Sequence, residues 1–295
     1  MNQFQAFHQQ YLAEFNHYLD EHLRQEIKQP ELQAGMLYSV EAGGKRLRPF
    51  LLLATLKTCA PQVNPRDYFR VAGAIELLHT YSLIHDDLPE MDNDDYRRGH
   101  LTNHKKFTVG RAVLAGDGLL THAFSWLATT KLTAALQVKL IQILAQAAGP
   151  QQMVAGQMTD IVHAGEHLSV AQVEQLDAQK TGALITAAVL MGAYCGQASP
   201  QLRQQLQIYA QNFGLAFQIY DDLLDLRGNA KQLGKAVGKD QAAGKNTYPE
   251  VLGLKAARAQ LTQALAAART ALALLPDSTI LLEDALAYFD LGAVQ

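Results

Sequence analysis

Two cysteines, Cys59 and Cys195, are all that the 295 residues contain. They exclude a disulfide framework and a four-cysteine zinc site, and they suit a reducing, cytoplasmic setting. Charge of one sign is equally short: 25 Lys+Arg against 28 Asp+Glu leave a formal net charge of -3. A nucleic-acid binder needs a broad basic surface to neutralise phosphates, so that class is excluded. Charged residues make up 18% of the chain and apolar ones 48%, too few and too many for disorder. The first twenty residues hold no cationic stretch followed by an apolar core, so no secretory leader is expected. Long hydrophobic runs are also lacking. Residues 181–202 carry no charge over a length that could cross a bilayer. Their strongly apolar part, however, is only Ala183 to Cys195, and Gly182, Gly196, Gln197 and Gln201 dilute the rest. A fully buried helix is expected there, without stable membrane insertion.

What is present is helix-forming. Ala, Leu and Gln dominate. The nine prolines, Pro30, Pro49, Pro61, Pro65, Pro89, Pro150, Pro200, Pro249 and Pro276, punctuate long stretches without breakers. Phe4, Phe7, Tyr11, Phe15, Tyr18 and Leu23 recur at helical spacing. No run alternates β-branched with polar residues, and no Gly/Ser linker divides the chain. The expectation is an all-α fold, a single large bundle of about ten helices around a central cavity, without sheet, forming one domain over residues 1–295.

The near-zero charge hides two concentrations. Six of the acids lie between Asp86 and Asp95. They follow the apolar stretch from Tyr68 to Leu88, which reads as a helix ended by Pro89, and they precede the pair Arg97-Arg98. Packed carboxylates repel unless a cation sits among them. Magnesium fits, because it takes a few carboxylates and fills its other sites with water or phosphate. The arginines add planar, bidentate phosphate contacts. In the second cluster, Gln218, Asp221, Asp222 and Asp225 are spaced i, i+3, i+4, i+7 on one helix face that also carries aromatics. Arg227, Lys231, Lys235, Lys239 and Lys245 follow in a glycine-containing segment that reads as a flexible cationic flap. A third basic group, Gly43-Gly44-Lys45-Arg46-Leu47-Arg48-Pro49, precedes a helix, where glycines let an anion approach the backbone. Two carboxylate clusters and three cationic segments suggest two diphosphates bound side by side, one of them through magnesium.

From about Gly43 to Leu254 the sequence resembles the trans-polyprenyl diphosphate synthase family, nearest its bacterial farnesyl-producing members. The first aspartate-rich motif, DDxxxxD, is Asp86-Asp87-Leu88-Pro89-Glu90-Met91-Asp92, followed by Arg97-Arg98-Gly99. The second, DDxxD, is Asp221-Asp222-Leu223-Leu224-Asp225 after Phe217-Gln218. The GGKR-x-RP segment, Lys180-Thr181, and the stretch from Leu233-Gly234-Lys235 to Lys245-Asn246-Thr247-Tyr248-Pro249 match as well.

The resemblance implies roles. Isopentenyl diphosphate would lie on Lys45, Arg48, His79 and Arg98. The allylic diphosphate would bind through three magnesium ions to Asp86, Asp92 and Asp221, with Asp87, Asp222 and Asp225 as supporting ligands. Arg97, Lys180, Lys235 and Lys245 would contact its oxygens, and Thr181 and Gln218 would stand beside the reacting carbon. The implied chemistry is ionisation of the allylic C–O bond, attack by the double bond of isopentenyl diphosphate, and loss of a proton to the departing diphosphate. The family precedent is a homodimer. Tyr81 and Ser82 lie five and four residues before Asp86, about 6–7.5 Å along a helix axis. An aromatic there would end the pocket near the length of a C15 chain. Ser82, small at its position, leaves room for either dimethylallyl or geranyl diphosphate as primer.

Competing readings use other features. A geranylgeranyl (C20) producer of the same family differs only in pocket depth. His85-Asp86 has the form of a metal-dependent phosphohydrolase pair, although that site would leave Asp221 to Asp225 unused. Glu14…His17 and Glu76…His79 have the E-x-x-H form of di-iron bundles. A non-catalytic partner subunit would be expected to lose its aspartates, and a terpene cyclase would lack a second diphosphate site. One departure from the family stands out: the chain ends Tyr288-Phe289-Asp290-Leu291-Gly292-Ala293-Val294-Gln295, without the short basic tail that helps close the site in many members.

Overall fold

The structure is a computed structural model that describes residues 1–226, 246–275 and 278–294. Helix α1 (Gln3–Glu26) begins where Asn2 accepts the Gln5 N–H at 2.8 Å and Gln5 accepts the Asn2 N–H at 3.2 Å, a reciprocal capping box. Its buried stripe is Phe4, Phe7, Tyr11, Phe15, Leu19 and Leu23; Tyr18, expected in that stripe, is only half-buried beside it. Then come α2 (Pro30–Glu41), α3 (Leu47–Cys59), α4 (Phe69–Asp86), the single turn α5 (Asn103–Lys106), α6 (Val109–Ala128), α7 (Ala134–Ala148) and α8 (Met153–Val162). The chain continues through α9 (Val170–Asp177), α10 (Ala183–Cys195), α11 (Pro200–Leu226), α12 (Tyr248–Leu252), α13 (Leu254–Ala273) and α14 (Ile280–Ala285). Among the described residues, ten of these helices run for ten residues or more, in line with the number expected.

The expectation of no sheet needs one correction. Tyr96–Arg97 pairs antiparallel with His100–Leu101. Arg98 and Gly99 join the two strands with φ of 53° and 81°, the left-handed pair that a tight type I′ hairpin turn requires. Two residues per strand are too few to show a period in the sequence.

One continuous apolar cluster runs from Phe4 to Val294. Within it α4 packs on α6, α10 on α3, and α11 on α13. The uncharged stretch is the buried helix α10, as expected. It approaches α3 so closely that a Cβ on Gly192 would stand 2.3 Å from the Leu52 carbonyl oxygen. Among the described residues no helix is long and apolar enough to cross a membrane. The site follows from this layout. Both aspartate motifs fall at the C-terminal ends of largely buried helices, α4 and α11. There the helix dipole is negative and adds to the cost of the carboxylates.

Candidate active site

The first motif is a closed loop at the end of α4. The Asp92 N–H donates to the Asp86 carbonyl at 2.8 Å, and the Met91 and Asn93 N–H groups donate to the Leu88 carbonyl at 2.9 and 3.0 Å. The loop thereby folds the seventh residue of the motif back onto the first. Asp87 is buried and paired with Arg97, whose Nε and Nη2 stand 2.7 and 2.5 Å from Asp87 Oδ1. Arg97 also lies 3.7 Å from Asp94. Asp86 is different: burial pushes its carboxyl up to about 6, Asp92 and Asp87 raise it further, and Lys180 and Arg97 oppose the rise. Like charges and desolvation both disfavour the ionised form.

The second motif lines α11, with Asp222 and Asp225 buried. The Thr181 hydroxyl donates to Gln218 Oε1 at 3.2 Å, and Gln218 Nε2 donates to Asp222 Oδ1 at 2.9 Å. The Tyr248 N–H, at the start of α12, donates to Asp222 Oδ2 at 2.9 Å. This relay fixes the Gln218 amide and commits the Thr181 proton, so the oxygen of Thr181 presents lone pairs. Lys180 and Thr181 sit on a wide π-type turn, Ala178–Gly182, between α9 and α10, a distortion common at functional sites. Lys180 donates to Asp160 Oδ2 at 2.5 Å. Its charge reaches Asp86 on one side and Asp177 on the other. Burial, with Asp222 and Asp160 nearby, holds Asp177 well above the usual carboxylate range.

The third group gathers where the loop before α3 meets α4 and the ribbon. The Arg98 guanidinium packs over Gly44 and donates to the Gly43 carbonyl. A Cβ on Gly44 would lie 2.5 Å from the guanidinium carbon, and Gly44 has φ of 122°, so glycine is needed here on both counts. Arg48 Nη1 lies 3.3 Å from His79 Nε2. Burial and then Arg48, Arg98, Arg97 and Arg46 drive the His79 pKa well below its ordinary value. The ring is neutral, accepts from Arg48 at Nε2, and carries its proton on Nδ1. Arg48 itself is lowered to about 10 by burial, so it remains a cation. Lys45 donates to the Tyr288 hydroxyl at 2.6 Å and, like Arg48, lies within electrostatic reach of Asp221.

The structure therefore brings together Lys45, Arg48, His79 and Arg98 as one cationic group. It joins Lys180, Thr181, Gln218 and Asp222 as a second group, which reaches Asp86 through Lys180. Tyr81 and Ser82 lie on α4 one turn behind Asp86, and the Ser82 hydroxyl donates to the His79 carbonyl at 2.9 Å. Lys235 and Lys245 lie outside the described residues. Sequence reasoning missed four contributors. Asp160 had a signal, being the only Asp, Glu, Lys or Arg between Gly149 and Gly165. Tyr248 lay in the matching stretch that ends at Pro249 but was given no role there; Asp177 and Tyr288 had no signal, because the groups that they meet come from distant segments. Arg46, next to two binding candidates, is structural: it pairs with Glu76 at 2.6 Å, and both side chains are only 2% exposed.

Two competing readings lose their ligands. Glu76 is spent on Arg46 and His79 faces Arg48, while Glu14 is spent on Arg66; no di-iron set remains in those motifs. His85 donates its Nε2–H to the Val113 carbonyl at 3.2 Å, so that nitrogen cannot bind a metal as a phosphohydrolase would need.

The remaining carboxylates fit a hard divalent cation. Asp86 lies at a helix C-terminus beside Asp87 and Asp92, with Lys180 and Arg97 compensating its charge only in part, and every candidate donor is oxygen, the donor type magnesium prefers. Among the described residues no three His, Cys, Asp or Glu side chains form a ready cluster; the donors are divided between the ends of α4 and α11.

Residues 29–274 match the family model described as polyprenyl synthetase. The chain is 46% identical over 242 residues to a farnesyl diphosphate synthase of Geobacillus stearothermophilus, covering 81% of each protein. It is 43% identical to a farnesyl diphosphate synthase of Escherichia coli, covering 83% of each. A geranylgeranyl pyrophosphate synthase of Capsicum annuum is 42% identical, over 79% of this chain and 63% of that one. Among solved structures, a geranyltransferase from Helicobacter pylori complexed with magnesium and isoprenyl diphosphate superposes with a TM-score of 0.85 at 33% identity. The match covers 98% of this chain and 97% of that one.

Proposed function

The chain belongs to the polyprenyl synthetase family, and on that premise we propose that it joins an allylic diphosphate to isopentenyl diphosphate head-to-tail. The reaction releases diphosphate, and the main product is farnesyl diphosphate. The observation that carries this reading is the pairing of two differently built anion sites. One is rich in aspartate, with Lys180 in electrostatic reach of Asp86 and next to Thr181, which bonds Gln218 on α11; the other is cationic and needs no metal, on Lys45, Arg48, His79 and Arg98. The farnesyl diphosphate synthases at 46% and 43% identity support the C15 product.

Asp86, Asp92 and Asp221 would hold magnesium, three ions in all, through which the allylic diphosphate would bind. Asp87, Asp222 and Asp225 act in support: Asp87 through Arg97, Asp222 through Gln218. Bound magnesium supplies Lewis-acid stabilisation of the negative charge that develops on the leaving diphosphate. Lys180, clamped by Asp160, adds a fixed cation for the same charge, with Arg97, Lys235 and Lys245 as further contacts. The lone pairs of Thr181 face the allylic cation. On the other side Lys45, Arg48, Arg98 and the neutral His79 fix isopentenyl diphosphate so that its double bond meets that cation, which is mainly a matter of orientation. Among the described residues no side chain is placed as the base, and the departing diphosphate takes the proton. One domain over residues 1–295, a homodimeric assembly and a cytoplasmic location complete the proposal.

The test is an incubation with magnesium, geranyl diphosphate and isopentenyl diphosphate, followed by identification of the prenyl product. Farnesyl diphosphate, formed only when both substrates and magnesium are present, is the expected result. Diphosphate release without isopentenyl diphosphate would overturn the proposal in favour of a cyclase or hydrolase.

A further inference from the structure

The two ends of the chain meet on one lysine. Lys45 precedes α3, and its carbonyl accepts from His8 Nε2 of α1 at 3.0 Å. Its ammonium donates to the Tyr288 hydroxyl at 2.6 Å, 4.8 Å from that ring's centroid. Tyr288 belongs to the short turn Leu286–Tyr288 that follows α14. Its ring stacks on Phe217, with centroids 5.6 Å apart and planes at 21°, and meets Tyr220 edge-on at 6.0 Å. Phe217 immediately precedes Gln218. Leu286 before it and Phe289 and Val294 after it are buried, so the segment is anchored on both sides of the tyrosine. An aromatic hydroxyl from the C-terminal segment thus stands at the cationic site.

We propose that Tyr288 is a positioning residue for isopentenyl diphosphate, closing that site from the C-terminal segment by holding the Lys45 ammonium where the diphosphate binds. The inference rests on the assignment of Lys45 to that substrate. A lysine has four rotatable side-chain bonds, and ordering it on binding costs entropy. Tyr288 orders it beforehand, by one hydrogen bond to a charged donor and by contact with the ring face. The phenol oxygen accepts the Lys45 proton without neutralising the ammonium, as a carboxylate in its place would. The full charge therefore remains available to the substrate.

The test is steady-state kinetics on Tyr288→Phe, which keeps the ring, its stack on Phe217 and the fold, and removes only the hydroxyl. Loss of a hydrogen bond to a charged group predicts a KM for isopentenyl diphosphate raised about tenfold. The kcat and the KM for geranyl diphosphate should stay within about twofold, since nothing they depend on has moved. Lys45→Met should raise the same KM, and Tyr288→Phe added to it should change nothing further, because the two act as a unit. Calorimetric titration of isopentenyl diphosphate into magnesium-free protein reads the same loss without turnover. If Lys45→Met raises the KM but Tyr288→Phe does not, Tyr288 is merely a packed core side chain and the proposal falls. If Lys45→Met itself leaves the KM unchanged, the assignment of the site falls first, and the proposal with it.

Discussion

Lys180 Nζ stands 2.5 Å from Asp160 Oδ2, and the same ammonium is the main charge opposing the upward shift of Asp86. A single lysine thus links an acid on α8 to the first aspartate motif. Asp160 restrains its position. Replacing Asp160 by Asn keeps the shape but weakens the clamp, and the ammonium gains freedom. The expected result is a kcat lower by about tenfold at saturating substrates. Lys180→Met should cost about 10²–10³-fold, as removal of one preorganised donor does. The KM for isopentenyl diphosphate should not follow in either variant. Steady-state kinetics with each substrate varied separately checks this.

The Asp86 shift gives a pH dependence with a definite sign. Its carboxyl is raised from 3.8 to about 6, so the folded protein binds this proton more tightly than the unfolded chain. The stabilising contribution is complete below pH 3.8 and is lost as pH rises through about 6. Magnesium must displace that proton to bind. In thermal unfolding scans, magnesium should therefore raise the midpoint clearly at pH 7.5 and barely at pH 5. Asp86→Asn should abolish most of the difference, because its side chain has no proton to exchange.

Much of this arrangement was legible in the sequence because its signals are local. The aspartates of α11 share a face by spacing alone, and α10 declares its burial by having no charge. Helix formation could be read from residues 254–275 by composition. The ribbon was not legible, since its only mark is Arg98-Gly99 between strands of two residues. Nor was the relay from Thr181 to Gln218 to Asp222 to Tyr248, which joins a wide turn, α11 and the start of α12 across up to 67 positions of sequence. Arg46 and Arg48 look alike in the GGKR-x-RP segment, yet one is locked to Glu76 and the other meets His79. Arg46 stands just outside α3 as its N-cap, with φ of 45°, while Arg48 lies in the first turn, and only the packing against α4 shows which partner each arginine meets.

The Arg46–Glu76 pair makes that distinction measurable. Arg46 also donates to the Val40 carbonyl at 2.5 Å and to Asn16 Oδ1 at 3.0 Å, so it ties α1, α2 and α4 together. Arg46→Met leaves Glu76 buried without its cation. Breaking a buried pair from one side costs about 3–5 kcal/mol, and chemical denaturation should show a loss of that size. Arg46→Met combined with Glu76→Leu should recover much of it, because no uncompensated charge remains. Arg48→Met, by contrast, should leave stability within about 1 kcal/mol and act on isopentenyl diphosphate binding.

We propose that product length depends on Tyr81. Its ring lies edge-on to His85, 5.1 Å between centroids and 79° between planes. His85 in turn is bonded to the Val113 carbonyl of α6 and lies 3.7 Å from Asp117. The aromatic is therefore braced against a neighbouring helix and cannot swing aside as a prenyl chain grows toward it. Tyr81→Ala removes the ring without disturbing that brace. Growth should then continue past C15, giving geranylgeranyl or longer diphosphates, while Tyr81→Phe should still stop at C15 because the ring and not the hydroxyl blocks the path. Chromatography of the dephosphorylated products separates these outcomes by chain length. An alanine variant that still makes only C15 would move the pocket's end away from α4 and assign it to another helix.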